Sequence, residues 1–243
     1  MEKYSEDFKI RYSELDCNLV LKPSSLVQLL QDIASQDAEN KGFGYSFLTK
    51  RNLGWFLLKY HLEFNNYPKG IYDLTLKTES RGYNKLFAFR DFEIYSKDEL
   101  LGNATTTWGL IDLETKSMTS MIETFKDNKE ITLFEKREDD LKYNKIPQLQ
   151  NIDFEKEFSV RFDDLDVNRH VNNSNYITWA FEALDFDFRN SKKPKTLDIV
   201  FKKEAKFGDV ISSQVQIAEN TTLHIIKNKQ TDEELCLIQA IWE

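Results

Sequence analysis

Apolar and polar residues alternate along this chain in two different rhythms. Leu26, Leu29, Leu30 and Ile33 fall at i, i+3, i+4 and i+7, the spacing that gathers side chains on one face of a helix. Ile177, Ala180, Phe181 and Leu184 repeat it. The pattern predicts two long helices, Ser24–Asn40 and Ser174–Phe188, the first with Pro23 in its opening turn and Gly42 at its end. Strand-like runs follow each helix. They lie near Gly54–Phe64, Ile71–Ser80, Leu86–Tyr95 and Leu100–Asp112, then near Leu197–Glu204, Val210–Ala218, Leu223–Lys227 and Glu234–Trp242.

The two rhythms thus occur twice, and the residues repeat with them. FKIRYSELDCN, from Phe8, lies on FSVRFDDLDVN, from Phe158, 150 positions later. Phe8, Arg11, Leu15, Asp16 and Asn18 match Phe158, Arg161, Leu165, Asp166 and Asn168. Trp108 and Trp242 close the last strand of each half only 134 positions apart, so the second half has shorter loops. Each half reads as a strand, a long helix and an antiparallel meander, with the helix covering one sheet face. This is an α+β plan with units at 1–124 and 154–243. The charged segment 125–153, containing EKREDDLKYNK, is expected to join them as a solvated connection with a short helix over Asn128–Lys136.

Composition narrows the function. With 243 residues, 40% hydrophobic and 30% charged, a soluble globular protein is expected, and 18 Phe, 10 Tyr and 4 Trp supply much of its core. No apolar run approaches a membrane span, and the start MEKYSEDFKI lacks a signal pattern, so a cytosolic (cytoplasmic) location is expected. A net charge of −8 speaks against nucleic acid as a partner. Cys17 and Cys236 form no disulfide framework and read as buried small apolar residues. Three scattered histidines suggest no metal, and no glycine-rich phosphate loop or G-x-S-x-G elbow suggests a cofactor or a serine nucleophile. Among those histidines, His61 and His224 have no companions and read as structural or surface residues.

His170 is different. Asp166, Asn168 and His170 alternate, and in an extended chain such side chains share a face at roughly 6.5 Å spacing. Asn172 and Asn173 follow, and Asn173 suits a helix N-cap. The unpaired N–H groups of a helix start would place a partial positive pole beside the imidazole. A carboxylate, an amide, an imidazole and a helix N-terminus together suit the polarisation of a carbonyl.

The stretch resembles the catalytic segment of the acyl-ACP thioesterases, which release fatty acids from acyl carrier protein. The shared pattern is D-x-N-x-H-V-N-N-x-x-Y-I, here Asp166, Asn168, His170, Val171, Asn172, Asn173, Tyr176 and Ile177. A second stretch, LDIVFKKEAKFGD from Leu197, is similar to the family's Y-R-R-E-C, with Lys202, Lys203, Glu204 and Ala205 in register. The resemblance implies a tandem, or double, hot-dog fold, two antiparallel sheets each wrapped around a long central helix, and a thioester hydrolase without a cofactor. It implies that Glu204 and His170 activate a water, with either as the proton acceptor. Asn168 would orient the water or the carbonyl, and Asp166 would hold its neighbours. Backbone N–H groups near Asn172 and Asn173 would receive the oxyanion. Ala205 departs from the family's cysteine, which excludes a cysteine nucleophile at that position.

The first half lacks the imidazole. Val20 stands where the repeat would place a histidine, and Lys22 and Pro23 replace the Asn pair. Its expected role is to shape an acyl pocket, with Leu30, Trp55, Phe56, Leu58 and Tyr60 as candidates. An acidic carrier protein would need a local positive surface. Arg189, Lys192, Lys193, Lys195, Lys202, Lys203 and Lys206 are opposed in sequence only by Asp198 and Glu204, and are expected to dock it. A homodimer is compatible with this reading. Two other functions are open: an acyl-CoA thioesterase, and a non-catalytic acyl-binding regulator, against which the intact Asp166, Asn168, His170 and Glu204 count.

Overall fold

A computed structural model describes residues 3–70, 73–167 and 169–243 of the protein. The first half contains β1 (Tyr4–Lys9), α1 (Pro23–Asn40), α2 (Tyr45–Thr49), β2 (Leu53–Phe64), β3 (Asp73–Tyr83), β4 (Phe87–Ser96), β5 (Glu99–Asp112) and α3 (Met121–Phe125). The second contains β6 (Phe154–Ser159), α4 (Asn173–Glu182), α5 (Phe186–Ser191), β7 (Pro194–Phe201), β8 (Val210–Ala218), β9 (Thr221–Asn228) and β10 (Glu234–Trp242). All ten strands join one sheet in the order β1-β3-β4-β5-β2-β7-β10-β9-β8-β6. The second half repeats the strand order of the first in reverse, so the strands of the two halves are related by an approximate twofold at the β2–β7 seam. There Lys59 to Glu63 pair antiparallel with Val200 to Thr196.

The apolar stripes bury as their spacing requires. Leu26, Leu30 and Ile33 of α1 are fully buried, as are Ile177 and Ala180 of α4, all in one core. Each large aliphatic side chain so buried contributes about 1.5–3 kcal/mol. Pro23 occupies the first turn of α1, and Gly42 takes the left-handed conformation just past its end (φ 73°). The helices also touch each other through polar groups. Gln28 Nε2 donates to Ser174 Oγ at 2.9 Å, and Asn173 Nδ2 donates to Gln31 Oε1 at 3.4 Å.

The second helix is shorter than its periodicity suggests. It stops at Glu182, and Asp185 starts α5 by accepting the Phe188 N–H at 2.7 Å. An aspartate inside a helical pattern offers backbone donors this local alternative.

The connecting segment differs more. No helix forms over Asn128–Lys136. Asn128 Oδ1 accepts the Glu130 N–H at 2.8 Å, and the chain then pairs with the end of β3, through Tyr83 N to Thr132 O at 3.0 Å and Phe134 N to Tyr83 O at 2.9 Å. Gly82 permits this approach, because a Cβ there would stand 2.5 Å from the Thr132 carbonyl oxygen at a φ of +93°. Farther on, Arg137 grips Glu79 with both guanidinium nitrogens, at 2.6 and 3.0 Å, and Thr107 donates to the Tyr143 hydroxyl at 2.9 Å. The segment is therefore solvent-exposed along most of its length, as expected, yet tied down as a strap across the outer face of the sheet.

Beneath the strap, at the seam, lies a buried polar cluster. Asn144 donates its backbone N–H to Asp198 Oδ1 (3.1 Å) and its side-chain amide to Oδ2 (2.9 Å). His61 Nδ1 lies 2.7 Å from Asp198 Oδ1, and its Nε2 lies 2.8 Å from Glu63 Oε1. Both His61 and Asp198 are buried. His61 thus has two carboxylate companions, contrary to the sequence reading, because pairing of β2 with β7 brings distant residues face to face. His224 is structural as expected, buried with Nε2 2.8 Å from Thr222 Oγ1. Among the described residues, no helix is long and apolar enough to cross a membrane.

Candidate active site

The segment entering α4 is a closed turn rather than an extended strand. Asp164 first caps a short helical turn, accepting the Arg161 N–H at 2.8 Å. Leu165 then bridges to Val171, and Asp166 N donates to His170 O at 2.7 Å. In return, Asp166 Oδ1 accepts the His170 N–H at 3.1 Å. Arg169 adopts the left-handed conformation (φ 65°) that the tight return demands. Asp166 therefore shapes the loop that presents His170. Asn168 lies outside the described residues, so its expected place on the same face is not described.

The first half builds the same loop without the imidazole. Asp16 Oδ1 accepts the Asn18 and Val20 N–H groups at 2.8 and 2.9 Å, Leu19 has φ 58°, and Leu15 bridges to Leu21. The repeat read from scattered identities is thus a repeat of hydrogen-bond geometry.

The helix cap falls one residue earlier than expected. Asn172, not Asn173, is the N-cap; its Oδ1 accepts Ser174 N at 3.0 Å and Ser174 Oγ at 2.8 Å. The Asn172 N–H is committed to Asp164 O at 2.9 Å. Asn173 opens the first turn of α4, with its side chain turned to Gln31 on α1.

Glu204 reaches the site from the other side. β7 ends at Phe201, and the chain leaves the sheet pinned at several points. Lys202 N and Lys203 N donate to Leu235 O (2.8 and 3.2 Å), Ala205 N donates to the Tyr176 hydroxyl (2.8 Å), and Lys206 N donates to Asp209 Oδ2 (2.9 Å). This brings Glu204 Oε1 to 3.1 Å from His170 Nδ1, with both side chains roughly one-third exposed, at 38% and 35%. The hydrogen bond to Glu204 raises the imidazole pKa above its ordinary value. Partial burial works against this, the charges of Glu204 and Asp166 add to it, and Lys116 opposes it. Lys116 belongs to the first half, on a tight turn after β5 where Asp112 Oδ1 accepts the Glu114 and Thr115 N–H groups. A partly hydrated imidazole hydrogen-bonded to a carboxylate can take up and return a proton near neutral pH. Among the described residues, no group of three or more His, Cys, Asp or Glu is arranged to hold a metal.

Other predicted residues are not brought together. The lysine-rich run divides at β7. Arg189 (paired with Glu182 at 2.6 Å), Lys192 (with Asn220 at 2.7 Å), Lys193 and Lys195 (with Glu243 at 3.7 Å) lie at its start. Lys202, Lys203 and Lys206 lie beyond its end, the first two paired with Glu234 and Glu233. At about 3.3 Å per strand residue, Lys195 and Lys202 stand roughly 23 Å apart. Asp198, counted among the charges opposing the run, is buried under the strap. Of the acyl-pocket candidates, Leu30 and Tyr60 lie in the main core. Trp55 stacks on Phe125 in a second cluster with 5.7 Å between ring centroids. Phe56 and Leu58 are half-buried near an irregularity at Leu57–Lys59. Cys236 is buried as expected, and burial pushes its thiol pKa up; Cys17 is exposed, because the loop shaped by Asp16 turns it outward. Sequence reasoning missed Tyr176 as an anchor for Ala205 and Lys116 as a neighbour of His170; the motif contains the tyrosine but does not show where its hydroxyl goes.

The chain and its fold have counterparts among known proteins. Residues 1–128 match the family model for the acyl-ACP thioesterase N-terminal domain, and residues 148–243 match that for the C-terminal domain. The chain is 25% identical over 236 residues to the chloroplastic oleoyl-acyl carrier protein thioesterase of Coriandrum sativum, covering 86% of this chain and 61% of that protein. It is 24% identical to oleoyl-acyl carrier protein thioesterase 2 of Arabidopsis thaliana, covering 86% and 62%. The chain thus spans about three-fifths of the length of these relatives. Two solved structures share the fold. An acyl-ACP thioesterase from Bacteroides thetaiotaomicron has a TM-score of 0.85 at 22% identity, covering 99% of this chain and 98% of that one. The 12:0-ACP thioesterase from Umbellularia californica has a TM-score of 0.86 at 19% identity, covering 99% and 97%. The architecture is the tandem hot-dog, an α+β fold with its two sheets fused. From the family models at both ends of the chain, the protein belongs to the acyl-ACP thioesterase family.

Proposed function

We propose that the protein hydrolyses the thioester of a fatty acyl group carried on acyl carrier protein, giving free fatty acid and the carrier thiol. The observation that carries this reading is the contact between His170 and Glu204 at 3.1 Å, on a surface open to water. The pair takes a proton from water as its oxygen attacks the thioester carbonyl carbon. The tetrahedral oxyanion is met by the partial positive charge at the start of α4. The carbon–sulfur bond then breaks, and the proton passes to the leaving sulfur. Asp166 keeps the His170 loop closed, and Asn168 is assigned to orient the water or the carbonyl. The first half shapes the acyl pocket. In this reading the units are 1–124 and 154–243, joined by 125–153, and the protein acts in the cytosol.

Thiol release from matched acyl-ACP and acyl-CoA substrates tests the proposal. His170→Ala and Glu204→Ala should each lower kcat on acyl-ACP by about 10²–10⁴-fold, the usual contribution of general acid–base catalysis. Equal or faster turnover of acyl-CoA would move the substrate class to coenzyme A thioesters. No release from any acyl-ACP would overturn the reading.

A further inference from the structure

Tyr176 lies almost wholly inside the protein, 2% exposed, yet carries a polar group. Its ring is fixed edge-on against Trp179 and Phe201, at centroid distances of 5.4 and 5.8 Å. It sits on α4 one turn past the Asn172 cap, so its hydroxyl has a defined position. That hydroxyl accepts the Ala205 N–H at 2.8 Å. Ala205 is 1% exposed, so water has little access to its N–H. Leaving a buried donor unpaired costs about 1–3 kcal/mol. Among the described residues, this is the one hydrogen bond from the 202–206 segment to α4.

The contacts form a closed circuit. The Asp166–His170 loop enters α4, α4 carries Tyr176, Tyr176 holds Ala205, and the adjacent Glu204 returns to His170. We propose that Tyr176 is a positioning residue: its hydroxyl anchors the Ala205 backbone and thereby fixes the Glu204 carboxylate against His170. This inference rests on His170 and Glu204 being the reacting pair. Position 205 serves the site through its backbone N–H, while the alanine methyl group packs in the core.

Tyr176→Phe keeps the ring and removes the acceptor. Misplacement of a reacting group by about 1 Å costs on the order of 10²-fold, so kcat on acyl-ACP should fall about 10–100-fold with KM little changed. In the protein without substrate, the imidazole of His170 faces Glu204, Asp166 and Lys116. Its NMR titration should move down toward 6.5 in Tyr176→Phe as the Glu204 contact loosens. Adding Tyr176→Phe to Glu204→Gln should cost nothing further in kcat. Wild-type kcat together with an unchanged imidazole titration would overturn the proposal, as would losses that multiply with those of Glu204→Gln. If Tyr176→Phe does not fold, amide exchange of the wild-type protein decides. An Ala205 N–H as protected as core amides supports the anchor, and free exchange overturns it. Wild-type protein without thioesterase activity would defeat the proposed function yet leave the titration and exchange results readable.

Discussion

His170 Nδ1 and Glu204 Oε1 stand 3.1 Å apart, each on an irregular segment just outside a helix or strand. The hydrogen bond holds the imidazole pKa above 6.5, with burial and Lys116 opposing and the Glu204 and Asp166 charges assisting. An imidazole must be unprotonated to act as the base. If His170 is the acceptor, kcat/KM should therefore rise with pH through a midpoint above 6.5, and Glu204→Gln should shift that midpoint down. A pH–rate profile over about pH 4–9 measures both. The absence of that rising limb would instead make Glu204 the acceptor.

The division of the lysine run changes what charge reversal should do. Lys203 and Lys206 flank Glu204, whereas Lys192 and Lys193 lie beyond the opposite end of β7. Lys203→Glu with Lys206→Glu should raise the apparent KM for acyl-ACP several-fold, an effect that weakens with salt because such charges act mainly on encounter. Lys192→Glu with Lys193→Glu should change it far less. Neither pair should affect a small acyl thioester. Steady-state kinetics on the two substrates checks this, and a larger effect from the distant pair would move the docking surface to the start of β7.

The seam should give stability a pH optimum. Burial lowers the His61 pKa, but its hydrogen bonds to Asp198 and Glu63 prevail and raise it above 6.5. Its contribution is therefore complete below 6.5 and is lost as pH rises through the folded value. Asp198 is lowered below 3.8 despite burial, by His61 and Asn144, so its contribution is lost only in strong acid. His224 acts with the opposite sign: burial lowers its pKa from 6.5 to about 3. The unfolded chain alone takes up that proton as pH falls from 6.5 toward 3, costing up to about 1.4 kcal/mol per pH unit. Thermal melts across pH should show Tm declining on both sides of the region just above 6. His61→Gln should flatten the alkaline decline and leave the acid one, while lowering Tm overall.

Much of this was legible in the sequence, for identifiable reasons. Leu26, Leu30, Ile33, Ile177 and Ala180 declare their helices because burial on one face imposes the period. The pairs Asp16/Asp166 and Leu15/Leu165 declare the repeat because both loops close by the same hydrogen bonds. His170 and Glu204 were found through their motifs; their contact depends on a turn after β7 that no local pattern encodes. The cap at Asn172 and the break at Asp185 were missed because several neighbouring polar side chains could serve, and only tertiary packing selects one. His61 and Asp198 were misread because partners across a strand seam leave no spacing in sequence. The exposure of the strap was legible in its charges, but its tethers, Arg137 on Glu79 and Asn144 on Asp198, leave no pattern in the sequence.

The strap also fixes how the halves depend on each other. The seam between β2 and β7 pairs only five residues on each side, Lys59–Glu63 with Thr196–Val200, while segment 125–153 keeps one half from diffusing away from the other. Docking of the halves is therefore an intramolecular event at a high effective concentration. A backbone cut between Asn128 and Thr132, with every contact left in place, would turn it into an association of two chains. Stability would then depend on protein concentration, and each separated half would offer β2 or β7 as an unpaired edge for foreign strands. In the proposed mechanism the covalent tie lets the His170 imidazole serve both units, because the half with Val20 at the matching position always arrives with the half that carries His170.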